Sequence, residues 1–134
     1  MKKLLAGLMI AAAMLSFGCG RSAEFGTVDM GKLEAEAPIV KTTQEDLTKK
    51  MTELKTQMDK DMEGKTGDDA KKVAEDYSAK AKLAQSEAQN KLKSSLDTAL
   101  SQVAKEKNLG AILDKRAVPQ GGTDVTSDVI AKMK

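Results

Sequence analysis

The 134-residue sequence has no histidine, no tryptophan, one tyrosine, two phenylalanines and a single cysteine. Without histidine it lacks the usual zinc ligand and the usual partner of a serine or cysteine nucleophile. With 2% aromatic residues it has little on which to stack bases or sugars. Only two prolines interrupt the chain. Basic excess is also missing. The formal charge is +2, but Lys2 and Lys3 fall in a segment read below as a removed leader. The remaining count is 22 − 2 = 20 basic against 20 acidic residues, net zero. A nucleic-acid-binding surface normally shows a basic surplus. Twenty carboxylates could hide a catalytic pair. No cradle-like loop or aromatic-lined pocket accompanies them, and Gly121-Gly122 lies in no phosphate-loop pattern. The sequence therefore predicts neither an enzyme nor a cofactor.

What is present begins with a leader. Lys2-Lys3 precedes an apolar run from Leu4 to Phe17. A basic start with a short apolar core reads as a secretory signal, too short to span a membrane. The only cysteine, Cys19, sits where this core stops, after Ser16-Phe17-Gly18. The arrangement resembles the lipobox of bacterial lipoproteins, in which a small residue precedes a lipid-carrying cysteine. It departs from that pattern in having Leu15 four residues before the cysteine rather than three. Residues 1–18 are thus expected to be a lipoprotein-type signal peptide, with Cys19 the first mature, lipidated residue. Acylation would remove a lone thiol from an oxidising compartment and anchor the chain on a membrane. The alternative is a plain secretory signal cut near Gly20 or Ala23. Both export the chain.

The longest pattern is a helical hairpin expected over residues 42–108. Leu47, Met51, Leu54, Met58 and Met62 recur at spacings of three and four, a helical stripe. Gly64-Lys65-Thr66-Gly67 supplies a turn. The returning arm answers with smaller residues: Ala70, Val73 or Ala74, Tyr77, Ala81, Ala84, Ala88 and Leu92. Reflection about Thr66 sets Met62 against Ala70, Leu54 against Tyr77 and Met51 against Ala81. Large side chains would then face small ones, as close antiparallel packing requires. The Lys-, Asp- and Glu-rich outer faces read as solvated. The arms would project on the order of 30 Å from any body, bendable because methionine is soft and alanine buries little area. After Ala88 the stripe strengthens, through Leu92, Leu96, Leu100 and Val103. That part is expected in the body.

The body comprises residues 24–37 and 109–134. Phe25 to Met30 reads as a strand and Gly31 to Glu36 as a short helix, with Pro38 opening the next helix. Asn108-Leu109-Gly110 ends the long arm. Gly110 to Asp114 is expected as a strand, Lys115-Arg116 as a tight turn, and Ala117-Val118-Pro119 as a return strand at an edge. Thr126 is the expected N-cap of a terminal helix. The fold class is α+β, mainly α. So small a body has little core of its own, and its strand edges invite pairing with further copies.

This order carries a resemblance. Val28-Asp29-Met30 closes the first strand, and a charged hairpin follows. Then come Val103 to Lys107, Gly110 to Lys115 and Asp124 to Ile130, the last the most specific part. Together they resemble the Skp/OmpH family of periplasmic chaperones over nearly the whole mature chain, as a single domain over residues 24–134. The resemblance implies a homotrimer whose strands join in a central barrel, with hairpins hanging as tentacles around a cavity. The cavity would hold unfolded outer-membrane proteins without ATP. It places the chain in the periplasm of a Gram-negative-type envelope. Met51, Leu54, Met58, Met62 and Tyr77 are the candidate client contacts. Phe25, Val28, Ile112, Leu113 and Val118 are the candidate trimer-body residues. Two departures stand out: a hairpin that looks shorter than in the best-known members, and a neutral mature chain where those members are basic. The competing reading is a structural lipoprotein, a coiled-coil spacer between membrane and cell wall, tethered at Cys19 with the Lys134 amine free for crosslinking.

Overall fold

The computed structural model describes residues 24–134. The leader and Cys19 lie outside the described residues. The elements run β1 (Phe25–Val28), α1 (Met30–Glu36), α2 (Pro38–Met62), α3 (Gly67–Glu106), β2 (Ala111–Asp114), a 3-10 turn (Lys115–Ala117), β3 (Thr123–Asp124) and α4 (Thr126–Lys132). The described residues are mainly helical, with one small three-stranded sheet.

The two long helices form the hairpin. Pro38 opens α2 at its first turn, where its missing N–H costs nothing. The helix therefore begins four residues before Thr42. Along α2 the half-buried positions are Leu47, Met51, Leu54, Met58 and Met62, and all others between them are exposed. On α3 the answering positions are Ala70, Val73, Tyr77, Ala81, Ala84 and Ala88. Ala74 is exposed, so Val73 is the seam residue.

The register differs from simple reflection. Lys50 Nζ lies 3.0 Å from Glu87 Oε2, and the Tyr77 hydroxyl donates to Asp61 Oδ2 at 2.5 Å. Reflection about Thr66 would have set Lys50 near Lys82 and Asp61 near Lys71, and would have given Tyr77 to Leu54. The cause lies in the linker. Glu63 (ψ 124°) and Thr66 (φ −137°, ψ 162°) are extended. Gly64 and Gly67 take left-handed φ of 71° and 61°. So α3 starts farther beyond the end of α2 than a tight turn would allow, and each α2 residue meets a later residue of α3.

The body is built where the hairpin roots. A Schellman end closes α3: Leu109 N–H donates to Ala104 O at 2.9 Å and Asn108 N–H to Lys105 O at 3.3 Å, with Asn108 at φ 54°. This turn carries Leu109 onto the core and delivers the chain to β2. The core comprises Val28, Leu33, Ala37, Ile39, Ala99, Val103, Val125, Val129 and Met133. Leu92, Leu96 and Leu100 pack against it, as the stronger stripe beyond Ala88 predicts.

The sheet corrects the expected return strand. Its order is β2-β1-β3, and both pairings are parallel. Ala117-Val118-Pro119 forms no strand. Asp114 turns the chain instead: its carboxylate accepts from Arg116 N–H at 2.9 Å and binds the Arg116 guanidinium at 2.7 Å. The chain then crosses β1 and pairs Thr123 and Asp124 with Gly26 and Thr27. The crossing is short for a parallel connection, which usually needs a dozen residues. It is possible because β3 has two residues and because Gly121 and Gly122 take φ of 91° and 84°. A Cβ on Gly122 would lie 2.6 Å from the Phe25 ring.

The terminal helix also starts differently. Thr126 is its first residue, not its cap. Asp124 supplies the capping carboxylate, accepting from Thr126 N–H at 3.0 Å and from the Thr126 hydroxyl at 2.6 Å. The same hydroxyl accepts from Asp29 N–H at 3.0 Å. One threonine thus ties the end of β1 to the start of α4.

Candidate functional site

The hairpin seam is the first candidate. Met51, Leu54, Met58 and Met62 all lie in it, half-buried. Tyr77 is more enclosed, at 7% exposure. Its ring carries the Lys80 ammonium 4.7 Å from the centroid. The hydrogen bond to Asp61 holds the phenol protonated and pushes its pKa up to about 12, with burial adding to the effect. The structure brings the candidate client residues onto one line, but that line faces the partner arm. Presenting them to anything else requires the arms to part.

Towards the root the seam becomes hollow. Where α2 presents Thr43 and Leu47, α3 offers only Ala84 and Ala88. Two clefts result, one on each flank. The smaller, about 180 Å³, is bordered by Asp46, Lys50, Glu87 and Lys91. Two ion pairs cross it, Lys50–Glu87 at 3.0 Å and Lys91–Asp46 at 3.9 Å. The larger groove, about 860 Å³, has an apolar floor that includes Val40, Leu47, Leu92 and Leu96. Gln44, Gln85 and Gln89 stand along it. The sequence reading missed this groove. Its signal was available: three neutral amides flank a seam whose other flank is charged.

Four of the candidate trimer-body residues lie in the sheet, and Val118 lies outside it. Val28 is in the chain's own core at 3% exposure. Phe25 is half-buried beneath Gly121 and Gly122, and Ile112 is half-buried beside Gly26. Val118 follows the 3-10 turn and is half-buried. Leu113 is the most open, at 43%, on β2, an edge strand of the sheet.

Asp29, Asp114 and Asp124 sit at the same end of the three parallel strands. Each caps the turn or helix that follows, through Lys32 N–H, Arg116 N–H and Thr126 N–H respectively. Thr126 and then Lys115 hold the Asp124 carboxyl down at about 2. The Arg116 side chain lowers Asp114. These are capping carboxylates, and among the described residues no acidic, histidine or cysteine group is arranged to hold a metal ion. No described helix is long and apolar enough to cross a membrane.

No family model matches the chain. No curated protein matches it either. Among solved structures it is similar to a protein of Caulobacter crescentus provisionally assigned as an OmpH-like outer membrane chaperone. The two share 17% identity over 83% of each chain, with a TM-score of 0.48.

Proposed function

We propose that the protein is an ATP-independent holdase, which binds unfolded outer-membrane protein precursors in the periplasm and keeps them from aggregating. The observation that carries this reading is the hairpin. Two helices of 25 and 40 residues, rooted in a small body, satisfy each other through a large-against-small seam. Arms that are paired within one chain are free to stand apart from the arms of other copies. The likeness of the body segments to the Skp/OmpH pattern supplies the rest: a homotrimer, joined through the sheet edges, with the client between the arms. Clients would be held by many weak contacts from Met51, Leu54, Met58, Met62 and Tyr77, exposed as the arms flex. A lipid on Cys19 would tether the chaperone to a membrane.

The test mixes the purified mature chain with a porin diluted from urea. Turbidity should stay low at a stoichiometric excess of the chain, and light scattering on the chain lacking Cys19 should give three times the monomer mass. Aggregation at the rate of porin alone would remove the holdase reading; a monomeric mass would remove the cavity. The spacer reading makes a different prediction: a Lys134 adduct by mass spectrometry after peptidoglycan digestion.

A further inference from the structure

The two flanks of the seam are chemically unlike, and the difference is local. At 100° per residue, Asp46 and Lys50 lie on one side of Thr43 and Leu47, and Val40 and Gln44 on the other. On the first side ion pairs tie the arms together. On the second, among the described residues, no ion pair crosses. The side-chain amides of Gln44, Gln85 and Gln89 make no hydrogen bond there to another described residue. At the base, Thr43 is 4% exposed and its hydroxyl has no partner among the described residues.

We infer that this groove binds an extended apolar segment of an unfolded polypeptide, gripping its backbone through the glutamine amides and its alternate side chains on the leucine floor. The inference deepens the holdase reading and rests on it for the source of the segment. Each glutamine offers both donors and an acceptor, and each peptide unit offers one of each. Such an exchange is indifferent to sequence. The charged rim residues Glu34 and Lys93 are of opposite sign, so the groove selects no net charge. Gln85 and Leu96 bracket it along α3 and are eleven residues apart, about 16 Å. An extended strand covers that length with about five residues. Strands destined for a membrane barrel alternate apolar and polar residues, which suits a groove with one apolar wall and one open side.

The test uses a fluorescein-labelled hexapeptide of alternating leucine and threonine and the full mature chain. Fluorescence polarisation reads binding. Ala88→Phe, which fills the groove, should weaken binding at least about tenfold. The double variant Gln85→Leu/Gln89→Leu keeps the volume and removes the amides; it should weaken binding several-fold. Leu83→Gln, which changes an exposed residue away from the groove, should change nothing. Equal or tighter binding by the double variant would overturn the backbone grip, and it decides the matter alone if Ala88→Phe loses its helical circular dichroism. No peptide binding by the parent chain also overturns the inference. The porin assay on the same proteins separates the two readings. If the variants bind the peptide as tightly as the parent and all of them protect porin, the groove fails and the holdase stands. If the parent binds peptide, loses it on substitution, and protects no porin, the holdase fails and the groove stands.

Discussion

The two halves of α3 share a helix and little else. From Leu92 to Ala104 it is a core element: Ala99 and Val103 are fully buried, and Leu92, Leu96 and Leu100 pack around them. From Gly67 to Gln89 it runs along α2, and the buried residues there are Tyr77, at 7% exposure, and Ala84, at 3%. Backbone hydrogen bonding is the same in both. What differs is how much apolar surface each turn removes from water, at about 25 cal/mol per Å². One continuous helix can therefore be a rigid root at one end and an arm that opens locally at the other.

The sharpest way to break that contrast is at the root. Val103→Ala removes two methyl groups from a site with no exposure. At about 0.8 kcal/mol per buried methylene-sized group plus a cavity term, the loss is about 2–3 kcal/mol. It should appear as a lower midpoint in urea, followed by helical circular dichroism, with the slope unchanged. A similar truncation in the arm, Met58→Ala, should cost clearly less, because Met58 is only half-buried to begin with. Equal costs would mean that the arm is as well packed as the root.

That gradient was legible in the sequence, and so was most of the fold. The stripe from Leu47 to Met62, the alanine-rich answer, and the change of strength after Ala88 are periodic signals that need no tertiary information. The small sheet was legible only in part. Phe25–Val28 carries Phe25, Thr27 and Val28, and Ala111–Asp114 carries Ile112 and Leu113, each within a segment of four residues. Thr123–Asp124 has two residues, too few to leave a pattern, and exists because Gly26 and Thr27 offer it an edge. Val118 looked like strand because it is β-branched beside a proline. Asp114 overrode it by capping Arg116, a local bond between side chain and backbone that no hydropathy pattern records. The arm register differs from simple reflection for a related reason: four linker residues can be a tight turn or an extended climb, and composition does not distinguish them. The root groove depends on that register: the neutral amides of Gln44, Gln85 and Gln89 are visible in the sequence, but which arm positions they face is not.

The crossing over β1 provides the next test. Gly122→Ala would place a Cβ 2.6 Å from Phe25 and 2.8 Å from Thr27, at a φ of 84°. Overpacking of this kind costs about 1–3 kcal/mol. The loss should be seen in global stability, with the arm helices retaining their circular dichroism at low denaturant. A neutral result would show that the crossing loop can lift from Phe25 at no cost, leaving β3 inessential to the body.

A smaller effect separates root from arm by pH. Asp124 is held near pKa 2 in the folded body, below the ordinary carboxylate value of about 3.9. A folded-state pKa that is depressed makes the unfolded chain bind protons first as pH falls. The contribution is therefore complete above about pH 4 and is lost between about pH 4 and pH 2. Asp124→Asn should flatten the stability curve in that window, and the difference between variant and parent should shrink as pH approaches 2. Lys115 shares the carboxylate at 3.1 Å, so some of the effect should weaken in high salt.

The smallest expected effect on global stability is the most informative about the arm. Tyr77→Phe keeps the ring in the seam and removes the hydroxyl that bonds Asp61. Because the pair lies towards the tips, most of the molecule should not register the change: the urea midpoint should move little, as local opening there does not expose the body core. Hydrogen exchange should register it. Amides of residues 58–80 should exchange faster, and those of residues 92–104 should not change. If protection at the root falls in step with that at the tip, the arms and body unfold as one unit. The flexing that exposes Met58 and Met62 would then be no cheaper than unfolding the chain. If only the tip loosens, the Tyr77–Asp61 bond is the pin that sets how often the arms part, and Tyr77→Phe should speed porin capture while leaving peptide binding at the root groove as it was.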